Sequence, residues 1–309
     1  MGSDKIAIKT QNLTKHFGNR IAVNDLNIEI KQGEIFSLLG TNGAGKTTTI
    51  KMLCCILRPT SGSAVISNCS IKEQPLKIKE IIGVSPQETA IAGHLNTKEN
   101  LLLMGGSYGL TREASKNRAK DLMELLGIED RKDQARRLSG GLQRRLSIAM
   151  ALMSDPQILF LDEPTLGLDP HARRSVWNYI ERLKTEKTIL LTTHYLEEAD
   201  YLADTIAIMD EGNIIETGTS SELKKRYTST QTLRISGENI TQEIIEILGK
   251  QGFDAIIAQN GIEIRSKKPD FYSIIDLLRQ KNVIITDLQM KEPTLDDVFI
   301  LLTGKEAIE

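Results

Sequence analysis

Residues 40–47 read Gly40-Thr41-Asn42-Gly43-Ala44-Gly45-Lys46-Thr47, and an apolar run ending Ser37-Leu38-Leu39 delivers the chain straight into them. No other stretch limits the possible folds as much. The glycines let successive backbone N–H groups turn inward, Lys46 brings a point charge to the β- and γ-phosphates of a nucleotide, and the Thr47 hydroxyl offers an oxygen to Mg²⁺. A helix starting at Lys46 adds the positive end of its dipole. Strand, glycine loop and helix in that order make a phosphate cradle.

At 309 residues the chain exceeds one ordinary domain and predicts a main domain with a smaller appendage. A formal net charge of -2 carries no basic excess, so nucleic acid is not an expected partner. Cys54, Cys55 and Cys69 lack metal-ligand spacing and read as reduced thiols of a cytosolic protein, the first two on the helix after the glycine loop. No apolar run approaches the roughly 18–20 residues of a membrane span, and no signal peptide opens the chain. A protein of this kind that works at a membrane docks there.

Short apolar runs at Ile6–Ile8, Leu26–Ile30 and Ile35–Leu39 predict strands, and a helix is expected from Lys46 to about Leu57, stopped by Pro59 and Gly62. Strands follow at Ala64–Ile66 and Ile81–Val84. Between Thr97 and Ser154 the apolar spacing turns helical. Ile158–Leu161 and Thr188–Thr192 then read as fully buried strands separated by a helix over about Pro170–Lys184, the pattern of a parallel sheet. Ile206–Met209 and Ile214–Thr217 add two more strands.

The last part of the chain has another rhythm. Strand (Leu233–Ser236), helix (Thr241–Leu248), strand (Ala255–Ala258), an Asn260-Gly261 turn, strand (Ile262–Arg265), helix (Phe271–Arg279) and strand (Val283–Leu288) spell a ferredoxin-like βαββαβ unit. Thr294 and Asp297 form a capping box before an amphipathic closing helix. That helix either packs on its own module or contacts another subunit.

Ile158-Leu159-Phe160-Leu161-Asp162-Glu163 is a buried strand ending in acids, which an apolar interior rejects unless a cation or water meets them. Its tip is therefore expected to be wet. Asp162 suits the coordination sphere of Mg²⁺, and Glu163 suits a base acting on the water that attacks a γ-phosphate. Ser139-Gly140-Gly141 stands directly before an amphipathic helix, where free N–H groups and the helix dipole favour an anion. Read alone, Ser139 is equally well an N-cap.

Together, the loop at 40–47, Ser139-Gly140-Gly141, the Asp162-Glu163 strand and His194 in Thr192-Thr193-His194 resemble the nucleotide-binding domain of an ATP-binding cassette (ABC) transporter. The similarity covers about residues 5–222. It implies an α/β P-loop NTPase cassette, a mixed-sheet core with a helical subdomain at about 97–154, occupying residues 1–225, with a small α+β ferredoxin-like accessory domain over 226–309. It also implies roles position by position. Asn42, Gly43, Ala44, Gly45, Lys46, Thr47 and Thr48 surround the phosphates of ATP, Phe17 stacks on adenine, and Thr47, Gln87 and Asp162 serve Mg²⁺. Gln87 also reaches the attacking water, His194 contacts the γ-phosphate, and Glu163, His194, Lys46 and Gln87 form the catalytic set. Ser139, Gly140, Gly141 and Asp169 belong to the face presented to a second subunit. For Phe17 the ordinary reading, a core aromatic, stands beside the adenine one.

The sequence departs from the commonest pattern at Leu142, where the family usually has Gln, at Thr41, often Pro, and at Asn68, often Gly. Because Lys46 and Ser139 both want the same γ-phosphate from opposite faces, the resemblance implies a head-to-tail dimer, of identical chains or with a related ATPase subunit. It further implies a separately encoded membrane permease and a peripheral position on the cytoplasmic face of the membrane. Glu292-Pro293-Thr294-Leu295-Asp296-Asp297-Val298-Phe299 is similar to the ending of drug-resistance (daunorubicin-exporter) ATPase subunits, which points to export. The rival readings are a soluble cassette ATPase acting on nucleic acid or the ribosome, and a scaffold that binds ATP without hydrolysing it.

Overall fold

The computed structural model describes residues 5–184, 186–227, 231–258, 261–266, 271–291 and 294–304. The chain forms two compact units, the first reaching Ser220 and the second beginning at Ser221.

In the first unit β1 (Ile6–Phe17), β2 (Arg20–Leu26), β3 (Glu29–Lys31), β5 (Ser61–Ile66) and β6 (Cys69–Ser70) form a 5-stranded sheet, every pairing of which is antiparallel. β4 (Ile35–Leu39) belongs to a 6-stranded sheet with β7 (Ile82–Ser85), β8 (Ile158–Asp162), β9 (Thr188–Thr193), β10 (Thr205–Asp210) and β11 (Asn213–Gly218), in the order β11-β10-β4-β9-β8-β7. From β10 to β7 the neighbours run parallel, and only β11 is reversed.

β8 and β9 are buried along their whole length because both faces of the sheet are covered. Ile158 and Phe160 enter one core with α1 (Lys46–Leu53), while Leu159 and Leu161 enter the other with Leu146, Trp177 and Ile180. Each such side chain contributes about 1.5–3 kcal/mol by leaving water. The stretch from Thr97 to Ser154 is helical as expected: α3 (Thr97–Ser107), α4 (Arg112–Leu125), a 3₁₀ turn and α5 (Gly140–Ala151). α6 (Pro170–Leu183) carries β8 over to β9.

Several boundaries differ from those expected. α1 stops at Leu53, not Leu57, because Cys55 turns left-handed (φ 57) and the N–H groups of Cys55 and Ile56 close back on the Met52 and Lys51 carbonyls. That ending normally uses Gly, so the sequence carried no stop signal before Pro59. Cys54 is therefore the cap and Cys55 lies beyond the helix. The apolar run Leu26–Ile30 is split between β2 and β3, and β1 extends to Phe17 to form a hairpin with β2. Three further helices are too short to show periodicity: α2 (Pro75–Ile81), α7 (Leu196–Leu202) and α8 (Ser220–Tyr227). Asn68 adopts the left-handed conformation (φ 65) that its turn position demands.

The second unit has the βαββαβ order: β12 (Gln231–Glu238), α9 (Gln242–Lys250), β13 (Asp254–Ala258), β14 (Gly261–Ser266), α10 (Phe271–Gln280) and β15 (Ile284–Lys291). Its sheet runs β13-β14-β12-β15, antiparallel throughout, the ferredoxin-like arrangement. Ile244, Leu248, Ile274 and Leu278 of the helices pack with Leu233, Ile235, Ile262 and Ile264 of the strands. Gly261 opens β14 and pairs with Ala258; the rest of the expected Asn260-Gly261 turn lies outside the described residues, as do Glu292 and Pro293. α11 (Leu295–Thr303) follows the expected capping box, with the Thr294 hydroxyl accepting from the Asp297 N–H at 3.2 Å and the Asp297 carboxylate accepting from the Thr294 N–H at 2.9 Å.

Candidate functional site

Because β4, β9, β8 and β7 run parallel, their carboxyl ends share one edge of the sheet, where ligands of open α/β sheets bind. Register brings the tips level. Leu39 pairs with Thr193, Asp162 with Thr192, and Ser85 with Leu161. The glycine loop, Asp162-Glu163, His194 and Gln87 all follow directly from these tips.

The loop is shaped by Gly45, which caps α1 with φ 109. A Cβ there would fall 2.4 Å from the Ala22 carbonyl oxygen, so neither the backbone conformation nor the space admits another residue. Lys46 folds back into this loop and donates to the carbonyls of Gly40 (2.7 Å) and Thr41 (3.1 Å). Its Nζ also lies 3.0 Å from Glu163 Oε1, both side chains about 5% exposed.

The strand tip is largely covered by protein, with Asp162 and Glu163 each 4% exposed, although Glu163 still lines the cleft described below. Protein groups satisfy them. Asp162 Oδ1 accepts from the hydroxyls of Thr47 (3.0 Å) and Thr192 (2.6 Å). Glu163 adopts φ 50, held there by its N–H donating to the carbonyl and hydroxyl of Thr192. Glu163 Oε2 meets His194 Nδ1 at 2.7 Å. Burial alone would raise the Glu163 carboxyl, but the His194 hydrogen bond and the Lys46 charge outweigh it and hold the group below its usual range.

Phe17, Asn42, Gly43, Gly45, Lys46, Thr47, Thr48, Gln87 and Glu163 line a single cleft of about 340 Å³. Ala44 is buried behind it. Phe17 is 50% exposed, which removes the reading of it as a core aromatic. Arg20 also lines the cleft and was not anticipated; nothing in its spacing marks it before the β1–β2 hairpin is known.

Ser139, Gly140 and Gly141 do not join that cleft. Ser139 caps α5, accepting weakly from the Leu142 N–H at 3.4 Å, and opens onto a separate hollow with Arg131, Arg137 and Arg145. Asp169 caps α6, accepting from the Ala172 N–H at 3.0 Å. The two helix starts are neighbours, since a Cβ on Gly141 would stand 3.0 Å from the Ala172 Cβ and one on Gly140 3.3 Å from Leu168. His16, His94 and His171 are exposed, whereas His194 is buried against Glu163.

Two buried side chains behind the cleft escaped the sequence reading. Glu198 Oε1 accepts from the Thr165 hydroxyl (2.7 Å) and the Trp177 indole (2.9 Å), which ties the segment after Glu163 to α6 and α7. Arg144 of α5 donates to the carbonyls of Pro86 and Gln87, each at 2.8 Å.

Comparison with known proteins accounts for this arrangement. Residues 23–166 match the ABC transporter family, and residues 218–303 match the ATP-binding protein DrrA1-3-like C-terminal domain. The chain is 33% identical over 306 residues to the linearmycin resistance ATP-binding protein LnrL of Bacillus subtilis (strain 168), covering 96% of this chain and 98% of that protein. It is 36% identical over 316 residues to the daunorubicin/doxorubicin resistance ATP-binding protein DrrA of Streptomyces peucetius, covering 97% of this chain and 93% of that protein. Against the Nod factor export ATP-binding protein I of Rhizobium sp. (strain N33) the identity is 34% over 304 residues, with 98% of each covered. Among solved structures, a dimeric ATP-binding cassette in a post-hydrolysis state with ADP and Pi aligns at a TM-score of 0.63 and 27% identity, over 69% of this chain and 98% of that one. The sequence motifs, the strand-edge cleft and these matches agree: the chain belongs to the ABC transporter family of ATP-binding subunits and is an ATPase of that family.

Proposed function

We propose that this chain is the ATP-hydrolysing subunit of an exporter, working as a head-to-tail dimer on the cytoplasmic face of a membrane beside a separately encoded permease. One observation carries the reading. Lys46 and Glu163, the latter backed by His194, line one hollow of the chain, and the Ser139 helix start lines another. Each half therefore suits a γ-phosphate gripped between two copies. Export is supported by the names of the matched drug-resistance and Nod factor export proteins and by the match of residues 218–303. Among the described residues no helix is long and apolar enough to cross a membrane, in keeping with a permease on another chain.

Within each site, Phe17 stacks on adenine, the glycine loop wraps the phosphates, and Lys46 neutralises the γ-phosphate charge. Mg²⁺ fits the oxygens available: Thr47 Oγ1 and Asp162 Oδ1 stand 3.0 Å apart, and this ion prefers one or two protein oxygens together with substrate phosphates and water. Bound there with Gln87 nearby, the ion supplies charge stabilisation to the transferring phosphoryl group.

Glu163, held ionised, takes a proton from the water as its oxygen attacks the γ-phosphate, and its bond from His194 fixes the carboxylate in place. With Nδ1 so engaged, His194 has Nε2 left to face the γ-phosphate. Loss of that phosphate removes what both copies hold and releases them. In domain terms, residues 1–225 act as the nucleotide engine, with 97–154 as the surface for the permease, and 226–309 serve as an accessory clamp.

Light scattering with Mg²⁺ and a non-hydrolysable ATP analogue tests the dimer, and strictly monomeric protein at saturation contradicts it. Mild detergent extraction and capture of the subunit tests the transport role; the expected companion is a multi-span membrane protein, and a purely soluble assembly is the contrary result.

A further inference from the structure

Arg144 lies in α5, which presents Ser139 at its start, yet its guanidinium reaches across to the segment that carries Gln87. The side chain is 4% exposed, and its two terminal nitrogens each donate to successive carbonyls, Pro86 and Gln87, at 2.8 Å. Burial disfavours this cation, and the carboxylates of Glu198, Asp162 and Glu163 offset part of that cost. The same face of the helix is locked to β7 twice more. Ser147 Oγ lies 2.9 Å from Ser85 Oγ in a buried hydrogen bond. A Cβ on Gly83 would stand 2.2 Å from the Ala151 carbonyl oxygen, so strand and helix touch backbone to backbone.

Helix α5 therefore clasps the chain from Gly83 to Gln87 over most of its length, and Arg144 makes the last contact before Gln87. A planar guanidinium holding adjacent carbonyls fixes both the position and the orientation of that peptide, which a single flexible ammonium cannot do.

We propose that Arg144 is a positioning residue for hydrolysis, holding Gln87 at the γ-phosphate edge of the cleft and joining it to the helix that carries Ser139 as one rigid body. The inference rests on the reading of Gln87 as a reaction-site residue. A consequence is that contact of a partner's nucleotide with Ser139 on one end of α5 is felt at Gln87 of the chain's own site.

The test is steady-state ATP hydrolysis and nucleotide titration by the full-length chain carrying Arg144→Met, Arg144→Lys, Gln87→Ala and the Arg144→Met/Gln87→Ala pair. Arg144→Met keeps the apolar stem and removes the donors; kcat is expected to fall about tenfold, with KM and Kd for ATP within about twofold of the parent. Arg144→Lys, with fewer donors in reach, is expected to recover part of the loss. Because both residues act through one peptide, the losses in the double variant are expected not to multiply. If Gln87→Ala leaves kcat unchanged, the reading of Gln87 fails. If Gln87→Ala lowers kcat while Arg144→Met does not, or if their losses multiply, the positioning role of Arg144 fails. Should Arg144→Met not fold, Arg144→Lys decides, and parental kcat in that variant overturns the proposal.

Discussion

Lys46 Nζ and Glu163 Oε1 lie 3.0 Å apart in a buried ion pair, although 117 positions separate residue 46 from residue 163. The cation and the carboxylate to which the proposed mechanism assigns phosphate binding and hydrolysis thus stabilise each other before any substrate is considered. Glu163 is also bound to His194 on its other oxygen, so the carboxylate is held from both sides.

Lys46→Ala removes the cation assigned to the γ-phosphate in the proposed mechanism and leaves Glu163 buried without its ion pair. ATP affinity is expected to be lost in nucleotide titration. Stability is expected to fall by roughly 3 kcal/mol in urea denaturation, because a buried charge without its partner costs more than the pair contributes. Unchanged affinity contradicts the assignment of Lys46.

Glu163→Gln retains shape and removes the carboxylate proposed as the base. Phosphate release is expected to drop about a hundredfold or more, while ATP-dependent dimers accumulate on a sizing column. The parent's pH behaviour follows from the direction of the Glu163 shift. Its folded value lies below the usual 4.5, so its contribution to stability is complete above that pH and is lost as pH falls through the folded value. Hydrolysis near neutrality is therefore expected to show no acid limb from Glu163.

Phe17 presents an exposed ring at the cleft, with Lys15 Nζ 5.2 Å from its centroid. Phe17→Ala is expected to weaken ATP binding about tenfold, the scale of one base–aromatic stack, with kcat little changed at saturation. Equal Kd values for ATP in parent and variant remove the stacking role.

Glu198 is fully buried, and burial pushes its carboxyl above the usual 4.5 against the opposing hydrogen bonds from Thr165 and Trp177. Above the ordinary glutamic acid range the folded chain then holds a proton that the unfolded chain has released. Stability accordingly declines as pH rises from 4.5 through the raised folded value. Glu198→Gln lacks this dependence. Relative to the parent, the variant is expected to gain melting temperature as pH rises above 4.5; a difference that stays constant as pH rises contradicts the burial argument.

The parts of the site legible in the sequence are those where local backbone geometry dictates residue type. Gly45 must be glycine because its φ is 109 and the Ala22 carbonyl leaves no room, and that demand is written in the chain itself. Buried parallel strands show as unbroken apolar runs, so β4, β8 and β9 were visible with their ends close to right. Asp162 and Glu163 stood out as acids closing such a run, and the βαββαβ rhythm of the second unit was readable from alternation and turns. Only the tertiary structure decided what those groups touch. The Lys46–Glu163 pair, the clasp of Arg144 on Pro86 and Gln87, and the Glu198 bridge from Thr165 to Trp177 each join segments far apart in the chain. An isolated Arg or Glu in a helix reads as solvated surface, because its partner is chosen by sheet order and register. These are properties of the folded chain that no spacing between neighbouring residues encodes.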